Sequence, residues 1–251
     1  MTSGARGVLT AAAALAALGL VAGCGDADRK ADGKPDQKVA QDEGGDKGGG
    51  GGAAARPLSA AALERAALAK SDLKGYGISP MTEREFSGGK EAKALTPGCQ
   101  PLAALMGTGF DPAPRTSVYR SYAAAPGGGA GVSGVLRLSS YRPGDAERTV
   151  RDLRKAVSAC SGGFKATDGS GKRADVTEVT SRDAPEAGDE ALAYSMVDGG
   201  KEKAVIAFTV VRSGPQLTVV FGVNLSDPTR SAVPKTVVDR QVRKVEAANR
   251  S

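Results

Sequence analysis

Histidine and tryptophan are absent from this 251-residue chain, and aromatic rings are few, with five Phe and five Tyr. Without histidine there is no Ser-His-Asp triad, no Cys-His nucleophile pair and no imidazole metal site. The three cysteines form no Cys-x-x-Cys pair, which removes the common zinc arrangements. No apolar run beyond residue 21 approaches the about 20 residues a membrane span needs. The net charge of +6 comes without basic–aromatic interleaving or any known binding motif, so nucleic acid is not an expected partner. The expectation is a protein that is not an enzyme and has no metal or cofactor. Its core must be built from Ala, Val and Leu.

What the chain does have is an export signal. A single early cation, Arg6, precedes an apolar stretch, residues 8–21, too short to span a bilayer, and the small residues Ala22 and Gly23 lead into Cys24. Residues 1–23 therefore read as a lipoprotein signal peptide. Cleavage before Cys24 leaves its thiol to carry a diacylglyceryl group, with palmitate as an expected acyl chain. Two chains hold a protein stably at a membrane where one does not. The expected location is the extracytoplasmic face of the cell membrane. The competing reading is an ordinary secreted protein with a chance cysteine near its cleavage site.

With Cys24 assigned to lipid, Cys99 and Cys160 remain, and in an oxidising compartment such a pair closes into a disulfide. A bridge over that loop stabilises by about 4 kcal/mol in the chain-entropy view. Two buried free thiols are the alternative; a metal pair is disfavoured. Residues 24–56 alternate Asp and Lys, run through five glycines and hold almost no apolar side chains, so they read as a disordered tether. Residues 57–251 are long enough for one domain with a core.

That domain should open with a helix capped by Ser59, with Leu58 stapled on Leu63, running to Gly75. A short helix follows from Cys99-Gln100-Pro101 to Gly107, then strands at 117–124 and 131–141 around the loop 126–129. Asp145 to Cys160 is the clearest helix. Asp145 caps it, Ala146, Val150, Leu153, Val157 and Cys160 form one apolar stripe, and Glu147 pairs with Arg151 on the wet side. Strands at 173–179, 190–197, 203–212 and 216–224 form a meander, the third apolar on both faces and so central. A helix at 235–248 turns Val238, Val242 and Val245 inward. This order gives an α+β fold, a twisted antiparallel sheet flanked by helices. The cation clusters Arg148, Arg151, Arg154, Lys155 and Arg240, Arg243, Lys244 read as solvated helix faces in preference to anion sites.

Several motif matches fail on context. Ser71-Asp72-Leu73-Lys74 has the Ser-x-x-Lys spacing of serine β-lactamases but lacks their companion elements and reads as a helix terminus. Gly129 to Gly134 spells Gly-x-Gly-x-x-Gly but enters a strand, not a helix. The carboxylates Asp183, Glu186, Asp189 and Glu190 have no calcium-loop spacing and read as a solvated loop, not as a calcium site or a hydrolase centre.

An Ala/Leu-rich helix ending in Asp72-Leu73-Lys74-Gly75-Tyr76, a cysteine heading a short helix, a long helix ending in cysteine, then a meander and a closing helix resemble a known family. This is the extracellular sensor domain of the actinobacterial kinase PknH and its related lipoproteins. The resemblance implies a non-catalytic domain with a sheet–helix cleft for an unknown cell-envelope ligand. Members often carry a second cysteine pair, which this chain lacks. Tyr119, Arg120, Tyr122 and Arg137 are the candidate cleft residues, although plain strand surface is the preferred reading of them. The alternative function is a structural or partner-docking envelope lipoprotein with a protein partner and no small ligand.

Overall fold

Among the described residues nine strands hydrogen-bond side by side into one antiparallel sheet whose two faces are both covered by helices. The computed structural model describes residues 55–125 and 131–251. The export signal, Cys24, the tether up to residue 54 and the 126–129 loop lie outside the described residues.

Helix α1, Ala60–Ala66, starts as expected, with the Ser59 hydroxyl accepting from the Ala62 N–H at 3.3 Å. It does not run on to Gly75. Beyond Ala66 the backbone groups find partners outside a helix: the Leu68 N–H donates to Gln241 Oε1 at 2.9 Å, and the Ala69 N–H to Asp72 Oδ2 at 2.7 Å. Ser71 and Lys74 therefore lie in turns. Gly75, at φ +80°, then turns the chain into β1, Tyr76–Met81. Helix α2, Glu83–Ser87, is a single turn held by a capping box between Thr82 and Glu85. After β2, Lys93–Ala94, a 3-10 turn at Pro97–Cys99 leads into α3, Gln100–Leu105, with Pro101 in its first turn as expected.

Strands β3, Thr116–Ala124, and β4, Val132–Ser140, form the first long antiparallel pair. Helix α4, Asp145–Ala159, buries the whole predicted stripe. Its cap is corrected, however: the N-cap is Gly144 at φ +84°, and Asp145 is the first helical residue. Glu147 does not pair with Arg151, because Arg212 takes it at 3.4 Å. Strands β5, Phe164–Thr167, β6, Arg173–Arg182, β7, Glu190–Asp198, β8, Val205–Ser213, and β9, Gln216–Asn224, complete the sheet before α5, Lys235–Asn249.

The strand order is β1-β3-β4-β9-β8-β7-β6-β5-β2. The strand expected to be central, β8, is the fifth of nine, with Ala207, Thr209 and Val211 buried on one face and Phe208 and Val210 on the other. Helices α3 and α4 pack on the Phe208 face; α1 and α5 pack on the Val211 face. The Cys99–Cys160 disulfide joins the start of α3 to the end of α4, with Cα atoms 6.0 Å apart. At the borders, β1 contains Pro80, which has no N–H to offer, and β2 is two residues long.

Candidate functional site

The four candidate residues are buried, not strand surface, and they do not meet in one place. Residue alternation puts Arg120 and Tyr122 toward α1 and α5, whereas Tyr119 and Arg137, register partners across β3 and β4, face the α3–α4 layer. Arg120 is a structural clamp. Its Nε donates to the Leu68 carbonyl at 2.9 Å, its Nη1 to the Tyr119 carbonyl at 2.9 Å, and its Nη2 to Glu64 of α1. The Tyr122 hydroxyl donates to the Phe221 carbonyl at 3.0 Å over Gly134, where a Cβ would come within 1.9 Å of that same oxygen. Both side chains are committed to holding the sheet and its helical cover together.

Arg137 differs. The residue is 4% exposed, and its Nε and Nη1 have no hydrogen-bond partner among the described residues. Its guanidinium carbon lies 3.8 Å from the centre of the Phe110 ring. Tyr141 and Tyr194 interact with the guanidinium electrostatically, and the buried Tyr194 hydroxyl has no partner among the described residues. Aromatic contacts continue round the same face: Tyr194 stacks on Phe208 at 4.9 Å, Phe208 meets Phe221 at 5.8 Å, Phe221 meets Phe86 at 5.7 Å, and Phe86 stacks on Tyr119 at 5.3 Å. A chain poor in rings has gathered Phe110 and three tyrosines about one cation, with the other rings of this face stacked beyond them.

The electrostatics follow from that burial. Loss of water holds the Arg137 guanidinium below its ordinary pKa, while the three tyrosines and Glu83 pull it back. Burial pushes the Tyr119 phenol up to about 12, against the pull of Arg137, and its hydroxyl donates to Glu83 Oε2 at 3.2 Å. Burial likewise raises Tyr141 and Tyr194, so all three phenols are protonated donors at neutral pH. A buried, unpaired guanidinium costs several kcal/mol. A desolvated cation–π contact returns only about 2 kcal/mol. The environment thus leaves Arg137 short of an anion.

Next to this cluster runs a groove of about 420 Å3 between α3, α4 and the turn carrying Phe110. Its walls are mainly apolar, from Pro101, Ala104, Phe110 and Leu153, with Arg148 and Lys155 at the rim beside Asp111 and Asp152. Arg148 bonds Asp111 at 3.2 Å and so ties α4 to the Phe110 turn across the groove. Phe110 is shared, lining the groove while stacking on Arg137. Phe110 carried no signal in the sequence, because nothing local says what a loop phenylalanine will cover.

The other charged clusters are structural. Arg240 and Lys244 are not simply solvated; they hold Asp72 at 2.8 and 2.6 Å. In the acidic patch, Asp189 and Glu190 bind Arg212 at 2.9 and 2.7 Å, and no metal-binding group of three such side chains occurs among the described residues.

No family model matches the chain, and no curated protein matches its sequence. Among solved structures it is similar to the extracellular domain of PknH from Mycobacterium tuberculosis. That alignment has 12% identity and a TM-score of 0.53, and it covers 78% of this chain and 100% of that one. An uncharacterised protein from Mycobacterium smegmatis aligns at 16% identity and a TM-score of 0.37, over 71% of this chain and 90% of that one. The likeness to the PknH domain is one of fold, and it is the fold that the element order and cysteine spacing led us to expect.

Proposed function

We propose that the chain is a non-catalytic extracytoplasmic lipoprotein, anchored through lipid on Cys24, whose folded domain is a ligand-binding or sensor module. The groove between α3 and α4 is the observation that carries this reading, because it combines apolar walls with a charged rim, as small-molecule sites do. The fold shared with an extracellular domain supports a place outside the cytoplasm, and so does the Cys99–Cys160 bridge. The signal-like start of the sequence supports the anchor.

Two experiments test it. Cys24→Ala should move the protein from the membrane fraction to the soluble one and abolish labelling with palmitate; continued membrane retention would refute the anchor. The lipid-free Cys24→Ala full chain, titrated with 1-decanol, should show methyl NMR shifts at Ala104 and Leu153. Ala159→Trp, which fills the groove mouth from an exposed position, should weaken binding roughly tenfold. If neither decanol nor decanoate perturbs these methyls, the groove is not the site.

A further inference from the structure

We infer that the ligand of this groove is an oxyanion with an apolar body, a carboxylate or phosphate ester bearing a hydrocarbon chain, whose charge Arg137 receives when the Phe110 ring moves aside. The inference rests on the groove being the binding site. It goes further by naming the ligand chemistry and the residue that selects it.

Three observations converge. First, Arg137 has two buried nitrogens without a partner, and no carboxylate of the described residues lies within ion-pair distance of it. A guanidinium presents N–H groups in a planar fork that matches a carboxylate or phosphate two bonds at a time. Second, the buried Tyr194 hydroxyl, without a partner among the described residues, interacts electrostatically with Arg137, so an arriving oxyanion finds a further phenolic donor in the same neighbourhood. Third, the one ring that stacks on the guanidinium also lines the groove.

Little holds the Phe110 ring over Arg137 beyond its own stacking contact and the turn on which it sits. Gly109 beside it sits at φ +97°, and on the other side Asp111 is tied to α4 by its bond to Arg148. Both side chains of that pair are largely exposed, at 84% and 48%, so the tie contributes little against a competing anion. At the rim Arg148 and Lys155 are paired with Asp111 and Asp152, so selection for a negative headgroup falls to Arg137, while Pro101, Ala104 and Leu153 receive the hydrocarbon. An anion that reached Arg137 would exchange the weak cation–π contact for charge-assisted hydrogen bonds.

The test compares decanoate and decyl phosphate with neutral 1-decanol, titrated into the Cys24→Ala full chain at pH 7. The anions should bind roughly tenfold or more tighter than decanol, the value of one charged hydrogen-bonded contact. Arg137→Met should bring them to the decanol level while leaving decanol unchanged. This variant should fold, because replacing an unpaired buried charge by an apolar side chain of similar length is tolerated. Should it fold poorly, Phe110→Ala provides the second arm and should tighten anion binding without tightening decanol. The double variant Arg148→Gln/Lys155→Gln should change the preference by less than about threefold, as exposed charges do. Tighter binding of decyl phosphate than decanoate would identify a phosphate headgroup, and the reverse a carboxylate. Equal binding of decanol and both anions overturns the inference while leaving the groove standing. So does a preference that survives Arg137→Met and disappears in the rim variant.

Discussion

Asp72 accepts from three donors: the Ala69 N–H at 2.7 Å, Lys244 Nζ at 2.6 Å and Arg240 Nη2 at 2.8 Å. Burial disfavours its charge, but the Lys244, Ala69 and Arg240 bonds outweigh that and hold its pKa at about 2 against an ordinary 3.8. A carboxyl depressed in the folded state stabilises above its unfolded pKa, and the stabilisation is lost as pH falls through the folded value. Here that means about 2 kcal/mol, present above about pH 4 and lost toward pH 2. Asp72→Asn should lower the unfolding free energy by about that amount at neutral pH and flatten the acid limb of a urea-denaturation series. An unchanged limb would show that another group carries the linkage. The sequence placed Arg240 and Lys244 on one helix face, but helical spacing cannot tell that a carboxylate from residue 72 lies opposite. From the sequence Arg137 is one of the cleft candidates, but strand surface is the preferred reading of it. That reading presumes a sheet with one wet face, and here both faces are covered.

Among the elements, α1 and α5 are joined through one polar side chain. Gln241 is fully buried; its Oε1 accepts from the Leu68 N–H at 2.9 Å and its Nε2 donates to the Ala66 carbonyl at 2.8 Å. The end of α1 thus finds on another helix the partners its own chain does not supply. Gln241→Leu would leave both backbone groups buried and unpaired, and should cost about 2–4 kcal/mol, read from the midpoint of chemical unfolding. A loss below about 1 kcal/mol would mean that solvent reaches these groups instead. The long, periodic elements α4, α5, β8 and β9 were readable because their apolar spacing sets their burial. The missed ones lack such periodicity. Strand β1 contains Gly77 and Pro80, which read as breakers; α2 is five residues long and β2 two; β5 spans four residues. Strands β1 and β2 are made by partners far along the sequence, which no local window contains, while α2 and β5 are too short to show a period.

For the whole molecule, the α3–α4 layer is tied by the bridge between Cys99 and Cys160, 61 residues apart. The enclosed loop contains β3, β4 and α4, so the bridge restricts the unfolded chain across much of the sheet. Cys99→Ser/Cys160→Ser should lower stability by about 4 kcal/mol, and a reductant should lower the wild-type unfolding midpoint to match. If the double variant unfolds at the wild-type midpoint, the bridge adds no constraint. The α+β class and the pairing of these cysteines were legible from element order and the odd cysteine count. The nine-strand width was not, since it depends on the short strands at both ends.

Those ends also decide how the native molecule behaves in company. A border strand interrupted by proline, and another only two residues long, give an incoming chain almost no ladder to extend. Copies crowded at high density should therefore remain separate while folded, and fibrous growth would have to begin from chains that have first come apart.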